Sequence, residues 1–400
     1  MGADGSMSAT LDHIPPVELG ERLRIAREAA KITQAAAAAA ARMARTTLVA
    51  IEQGQRKARI DELQVLAKLY GTSVNALLRR EAVHVDLVPK YRKLTEQTDP
   101  AVEAAGRLLT DLVKAEVELE NLLGIHRVRN YPQQRPILPG DVYLQAEQDA
   151  LEVRHWLGLG LAPISDMNGL LELQLGVRVF VRKLPTRISG LYAFDDTVGA
   201  CVLMNAVGRR SRRQYTAAHE LGHLVSSRGD PDILLDGSQE KAREERYANA
   251  FARGFLLPAR AVMQQFQELT VGASHLSRRH VILLAHVFGV SREAMVRRLE
   301  ELKLAKPGTW DWFQSHGGIT DVQERQVLGD SALIDTDRGD ANGSAPIRLN
   351  QMAAEAWQKD LLSEGQLARL MHLDRVALRE LLDALADDPS EADGVLELRG

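Results

Sequence analysis

The stretch QYTAAHELGHLV, Gln214–Val225, sets two histidines four residues apart, His219 and His223, with Glu220 directly after the first. Positions four apart share one face of an α-helix, so both imidazoles can aim a ring nitrogen at a single point. Zinc takes such ligands at ~2.0–2.1 Å in a tetrahedron, and this pair supplies two of them. Glu220 falls beside the ion rather than on it, where it can act as general base on water whose pKa the ion lowers to ~7. With 11 histidines in 400 residues, chance alone would produce the pattern on the order of once in fifty chains. The flanks decide. "TAA" and "LGHLV" are apolar enough to bury this face, and a buried histidine or glutamate with nothing to bind costs several kcal/mol. That cost weighs against the bland alternative, a core helix that happens to hold two histidines.

A third ligand is expected from a nearby helix, and EERYANAFARGFLLP, Glu244–Pro258, offers one. Glu245 is preferred because Asn249 follows four residues later on the same face. There it can accept the ring N–H of a liganding histidine, the outer support that metal sites use. Glu244 and Glu240 stay open as rivals, since glutamates on an amphipathic helix also serve as a solvated face. Three protein ligands leave a fourth position for water, which is the catalytic pattern.

Working outward, 400 residues exceed one ordinary core, so two or three domains are expected. With 45% hydrophobic and 26% charged residues the chain can bury real cores. A net charge of −4 gives no overall nucleic-acid signal, although a basic module can hide inside such an average. The single cysteine, Cys201, excludes an internal disulfide framework and a multi-cysteine metal site. The first residues lack a signal peptide's regions and no apolar run is long enough to span a bilayer, so a cytoplasmic protein without a membrane partner is expected.

The fold class read from these patterns is α+β, mostly helical. Residues 17–82 show apolar spacing of three and four in short segments, a bundle of small helices. Residues 88–130 form a connecting helix entered at Asp99-Pro100 and closing at Gly124. After the Pro-rich stretch Asn130–Asp141, residues 140–305 hold a helix near Leu144–Leu159 and a small sheet built from LGVRVFVRKL, SGLYAFD and GACVLMN. Helices follow at Arg212–Ser226, Gln239–Leu257 and about 275–304. Trp310, Trp312 and Phe313 are expected to anchor the next segment onto this domain. Residues 328–348 are polar and aperiodic, a linker. Residues 349–400 form a small C-terminal helical domain, with helix-turn-helix spacing in LLSEGQLARLMHLDRVALRELLDAL but a role in packing.

YTAAHELGHLV, EERYANAFARGFLLP, SGLYAF and CVLMN together resemble the ImmA/IrrE family of zinc metallopeptidases. The resemblance covers about residues 140–305, with Phe255 and Leu257 departing from the family's usual leucine and methionine. It implies endopeptidase action on a DNA-binding repressor, with Glu220 as base and Zn2+ on His219, His223 and Glu245; Mn2+ or Fe2+ can occupy the same donors. It also implies an edge strand at Gly190, Leu191 and Tyr192 that pairs with substrate main chain. Tyr192 is a candidate hydrogen-bond partner for a developing oxyanion, or simply a core tyrosine.

ITQAAAAAAARMARTTLVAIEQGQRKARIDELQVLAKLYGTSVNALLR, Ile32–Arg79, resembles a Cro-type (XRE) helix-turn-helix. Thr33 reads as an N-cap, and the second helix begins near Ala44. The resemblance implies DNA contacts from Gln34, Arg45, Thr46 and Thr47, because the recognition helix presents its first turn to the major groove. Arg56 and Lys57 are expected on phosphates. The chain departs from the family at Ala35–Ala41: Ala37 and Ala41 stand where leucines pack, Arg42 replaces a turn glycine and Ala44 an N-cap serine.

Two functions emerge. In one, the chain is a DNA-binding zinc endopeptidase that cleaves a partner protein such as a repressor. In the other, the peptidase-like domain is a sensor or interaction surface of a transcriptional regulator or toxin–antitoxin component. Double-stranded DNA is a partner in both, and binding to two half-sites would call for a homodimer.

Overall fold

The computed structural model describes residues 15–70, 99–229, 231–235, 243–329 and 346–385, with Leu77 and Leu87. The remaining parts of the expected 17–82 and 88–130 segments, most of the 328–348 linker, Glu240 and the last residues of the tail lie outside the described residues. The chain divides into two compact units. One takes in the described residues of 1–84, 114–127 and 351–400, the other those of 85–113 and 128–350.

In the first unit, helices α1 (Pro16–Ala29), α2 (Gln34–Ala40), α3 (Arg45–Glu52) and α4 (Ile60–Leu69) follow one another through tight turns. Thr33 caps α2 by accepting from the Ala36 N–H at 3.2 Å. Leu19, Leu23, Leu48, Ile51, Leu63 and Leu66 form the core, and Ala37 and Ala38 are buried among them. Alanine keeps α2 helical while contributing little apolar area. Much of the unit's specificity therefore rests on polar links. Arg27 Nε donates to Glu52 Oε1 at 2.6 Å and Nη2 to Oε2 at 3.2 Å, both side chains being buried.

The turn between α2 and α3 holds Arg42 at φ 52°. A left-handed backbone costs an L-residue about 1–2 kcal/mol, against about 0.5–1 for the extra chain entropy of glycine. Arg42→Gly is therefore expected to stabilise this unit by roughly 0.5–1 kcal/mol, read as a higher urea midpoint. An unchanged or lower midpoint would show that the turn carries no strain.

Helix α5 (Pro100–Leu123) ends where Gly124 turns left-handed at φ 68°. The second unit continues with α6 (Val142–Trp156), capped by Asp141, and a π-helical turn at Leu170–Gln174 that leads into the sheet. Strands β1 (Arg178–Arg182), β2 (Ile188–Asp195), β3 (Gly199–Asn205) and β4 (Asp232–Leu235) lie in the order β1-β3-β2-β4. β1 runs parallel to β3, and β2 is antiparallel to both β3 and β4. Helices α7 (Arg210–Ser226) and α8 (Arg243–Leu256) pack with α6 and the sheet around one apolar core that includes Val179, Val202, Leu221, Phe251 and Phe255. Arg154 of α6 is 1% exposed and donates to the carbonyls of Phe255 (2.6 Å), Gly160 (3.0 Å) and Ala162 (2.5 Å). It thereby satisfies an orphan carbonyl at the end of α8, ahead of Pro258.

The helical stretch expected at about 275–304 is two helices, α10 (Arg278–Phe288) and α11 (Arg292–Glu301), preceded by α9 (Ala259–Leu269). Gly289 at φ 62° breaks them, and the Ser291 hydroxyl caps the second. Of the three aromatic anchors, Phe313 in α12 (Thr309–Ser315) is buried with Val281, Ile282 and Val296. Trp312 does not anchor: it is 52% exposed and stacks on His316. Only one of two adjacent ring positions on so short a helix can face the core. Helix α13 (Asp321–Leu328) follows, and the tail contains α14 (Ile347–Gln358), α15 (Glu364–Leu370) and α16 (Arg375–Ala384).

Candidate metal centre and DNA-reading surface

His219, Glu220 and His223 lie in the middle of α7, and each is at most 2% exposed. Gly222 determines how closely α8 approaches them. A Cβ at this position would sit 2.9 Å from the Ala248 Cα, so the two backbones touch where a side chain would hold them apart. That close approach brings Glu245, on the first turn of α8, to the histidines. The two Nε2 atoms are 3.1 Å apart. Glu245 Oε2 lies 3.6 Å from His219 Nε2, and Oε1 lies 3.3 Å from His223 Nε2. A tetrahedron with bonds of ~2.0–2.1 Å has edges of about 3.3–3.4 Å, so the spacing and chemistry of this donor set fit a divalent ion.

Both outer ring nitrogens have partners. His219 Nδ1 meets Asn249 Oδ1 at 3.0 Å, and the Tyr215 hydroxyl donates to the same oxygen at 3.0 Å. His223 Nδ1 lies 3.3 Å from Ser227 Oγ. With Nδ1 as donor, the Nε2 lone pairs of both rings face the shared point. Asn249 is legible in the sequence, whereas Tyr215 escapes it, although it stands four residues before His219 on the same helical face. Glu244 is exposed and outside this cluster. The Glu220 carboxylate packs against the sheet: a Cβ on Gly190 would come within 2.9 Å of its Oε1.

The structure corrects the expected edge strand. Gly190, Leu191 and Tyr192 of β2 face Leu234, Ile233 and Asp232 of β4, so β2 is an inner strand. Its second row of backbone groups is taken by the chain itself, and a peptide cannot add to β2 while β4 is paired with it. Tyr192 is fully buried, its ring beside His223 and its hydroxyl donating to the Arg228 carbonyl at 3.0 Å. Burial holds this phenol well above the usual tyrosine range, so it remains neutral.

Residues 18–80 match the family model of a helix-turn-helix domain, and residues 173–300 match that of the IrrE N-terminal-like domain of M78 peptidases. The chain joins a helix-turn-helix domain to an IrrE-like peptidase domain. No curated protein matches it. The pairing supports a DNA-binding regulator with a peptidase-like domain. No helix among the described residues is long and apolar enough to cross a membrane.

In the helix-turn-helix domain, Arg45 and Thr46 are exposed on the first turn of α3, with Thr47 half-buried beside them. Gln34 is also half-buried, and its Nε2 donates to Glu52 Oε2 at 2.9 Å, so the buried Arg27–Glu52 pair holds its amide. Arg56 donates to both oxygens of the buried Glu62 at 3.2 and 3.0 Å, while Lys57 is exposed. An arginine so engaged is less available to a phosphate than the sequence suggests. The signal is its spacing of six residues from Glu62 across a turn, which helical periodicity does not reveal.

Proposed function

We propose that this chain is a DNA-binding regulatory metalloendopeptidase. Its helix-turn-helix domain reads double-stranded DNA as a homodimer, and its IrrE-like domain hydrolyses a peptide bond in a partner protein, a DNA-binding repressor. The observation that carries this reading is the donor triangle of His219, His223 and Glu245 beside the buried Glu220. A divalent cation there, Zn2+ first with Mn2+ or Fe2+ fitting the same donors, supplies Lewis-acid polarisation of a carbonyl and of water. Glu220 takes the proton of the attacking water and returns it to the leaving nitrogen. Asn249 and Ser227 hold the imidazole rings in the tautomer that donates outward, and Tyr215 steadies the Asn249 amide.

Metal analysis of the purified chain, followed by incubation with the repressors encoded beside it, tests the reading. The expected result is one equivalent of divalent metal, lost in Glu245→Ala, and discrete repressor fragments. A metal-free preparation that takes up none would end the proposal. Removing an outer support of this kind weakens metal binding by about 10–100-fold. Asn249→Ala is therefore expected to lose its metal to a competing chelator at that much lower chelator strength, and Tyr215→Phe to fall between it and the parent. Equal retention by all three would remove Asn249 from the site.

The pairing of β4 with β2 favours a second reading, in which the peptidase-like domain is a sensor or interaction surface of a regulator or toxin–antitoxin component. The two readings part at Glu220, which a sensor has no use for.

A further inference from the structure

The C-terminal segment lacks a strongly basic face in its sequence, which favours a packing role, but its backbone closely follows the DNA-reading helices. Gln34 to Glu364 and Arg45 to Arg375 are the same offset, 330 residues, and α2–α3 maps onto α15–α16 residue by residue under it. Both first helices have seven residues, opened by Thr33 and by Ser363. The turns share their hydrogen bonds: Met43 N–H to the Ala38 carbonyl and Leu373 N–H to the Ala368 carbonyl, each 3.0 Å. Arg42 and His372 are left-handed at φ 52° and 54°, and each is followed two residues later by an extended N-cap, Ala44 and Asp374. Ala37, Ala38 and Leu48 are buried, as are Leu367, Ala368 and Leu378. Leu367 thus packs where α2 has only an alanine.

A similar turn joins α10 to α11 at Gly289, so the turn alone decides nothing. The surfaces do. Arg292, at the start of α11, is bound to Asp321 and Glu324 of α13. Arg375, at the start of α16, is exposed and makes no ion pair among the described residues. Beside it, Val376 is 68% exposed, an apolar group where Thr46 stands in α3. Arg369, His372 and Arg379 are exposed as well. Two of the nearby acids are engaged: Glu364 with Arg379 at 2.8 Å, and Asp374 with the Val376 and Ala377 N–H groups of its own helix.

We propose that α15–turn–α16 is a second DNA-reading unit, with the first turn of α16 entering a major groove of double-stranded DNA. Arg375 reaches a guanine edge, Val376 meets a thymine methyl, and Arg369 rests on a phosphate. The chain then reads a bipartite site, one element per helix-turn-helix. This rests on the DNA-reading function of α2–α3, and the test separates the two.

The test uses the full chain and duplexes selected from a randomised library, with nuclease footprinting, affinity and its salt dependence as readouts. The parent, as a dimer, is expected to protect two different sequence elements, each repeated once per half-site. The Arg369→Ala/Arg375→Ala double variant should lose one element and at least about tenfold in affinity, with a salt slope lower by about one per lost phosphate contact. Arg45→Ala should lose the other element. Arg375→Glu is a second variant on the same exposed position, and an unchanged circular dichroism melting curve controls for folding in each. If Arg45→Ala abolishes binding while the C-terminal variants bind as the parent does, the second unit is refuted and the first stands. If no duplex is selected, both fall. If the C-terminal variants change the sedimenting mass but not DNA binding, the face joins two copies of the chain, and this proposal is overturned.

Discussion

Glu220→Gln is expected to leave the chain folded and metal-loaded while repressor cleavage falls by about 10²–10⁴-fold, the usual contribution of a positioned general base. The substitution is close to isosteric, and the residue is 1% exposed against Gly190 and Thr216, so its packing should survive. Proton transfer should not, because an amide can neither take the water's proton nor return it. The measurement pairs metal content with the rate of fragment appearance. Unchanged cleavage or unchanged regulation in cells would exclude proteolysis through this site, whereas loss of metal together with activity would mean that Glu220 serves the donor cluster rather than the reaction.

Glu52→Ala should be the most damaging substitution in the helix-turn-helix domain, at about 3–5 kcal/mol. It leaves the Arg27 guanidinium, whose side chain is 9% exposed, with only the Ile32 carbonyl at 3.0 Å and the exposed Glu28 carboxylate at 3.5 Å among the described residues, and removes the acceptor of the Gln34 amide. The cost arises from the charge left behind rather than from the strength of the pair, so an Arg27→Met/Glu52→Leu double variant should recover much of it. Urea unfolding followed by circular dichroism distinguishes the two accounts. Equal losses in the single and double variants would show that the ion pair itself carries the stability. The single variant should also bind DNA more weakly, since Gln34 and α3 lose their common support.

The candidate metal site is the most readable part of the molecule, because the spacing that assembles it is local. A four-residue spacing puts His219 with His223 and Glu245 with Asn249 whatever the rest of the fold does. The close approach of α7 to α8 is hidden, since nothing in the one-dimensional pattern ties Gly222 to Ala248. β4 escapes for a related reason: Asp232–Leu235 is only four residues long and has no clear alternation to mark it as a strand. Without it, β2 reads as an edge. Trp312 differs from expectation in another way, and Arg56 carries an unexpected contact. For Trp312 residue type suggests a core anchor, and the face of a short helix turns the ring outward; for Arg56 it suggests a phosphate contact, and the fold adds a link to Glu62 that the sequence does not reveal.

The close approach at Gly222 also sets how firmly a divalent ion could be held between the two helices. The 3.1 Å distance between the histidine nitrogens lies within one helix, but the 3.3 and 3.6 Å distances to the two Glu245 oxygens cross from one helix to the other. The separation of α7 and α8 therefore works as a ruler. A methyl group at position 222 would lengthen the two crossing distances and leave the one between the histidines alone, weakening the grip on an ion with bonds of ~2.0–2.1 Å. The strength of that grip would then depend on a residue that offers no donor of its own.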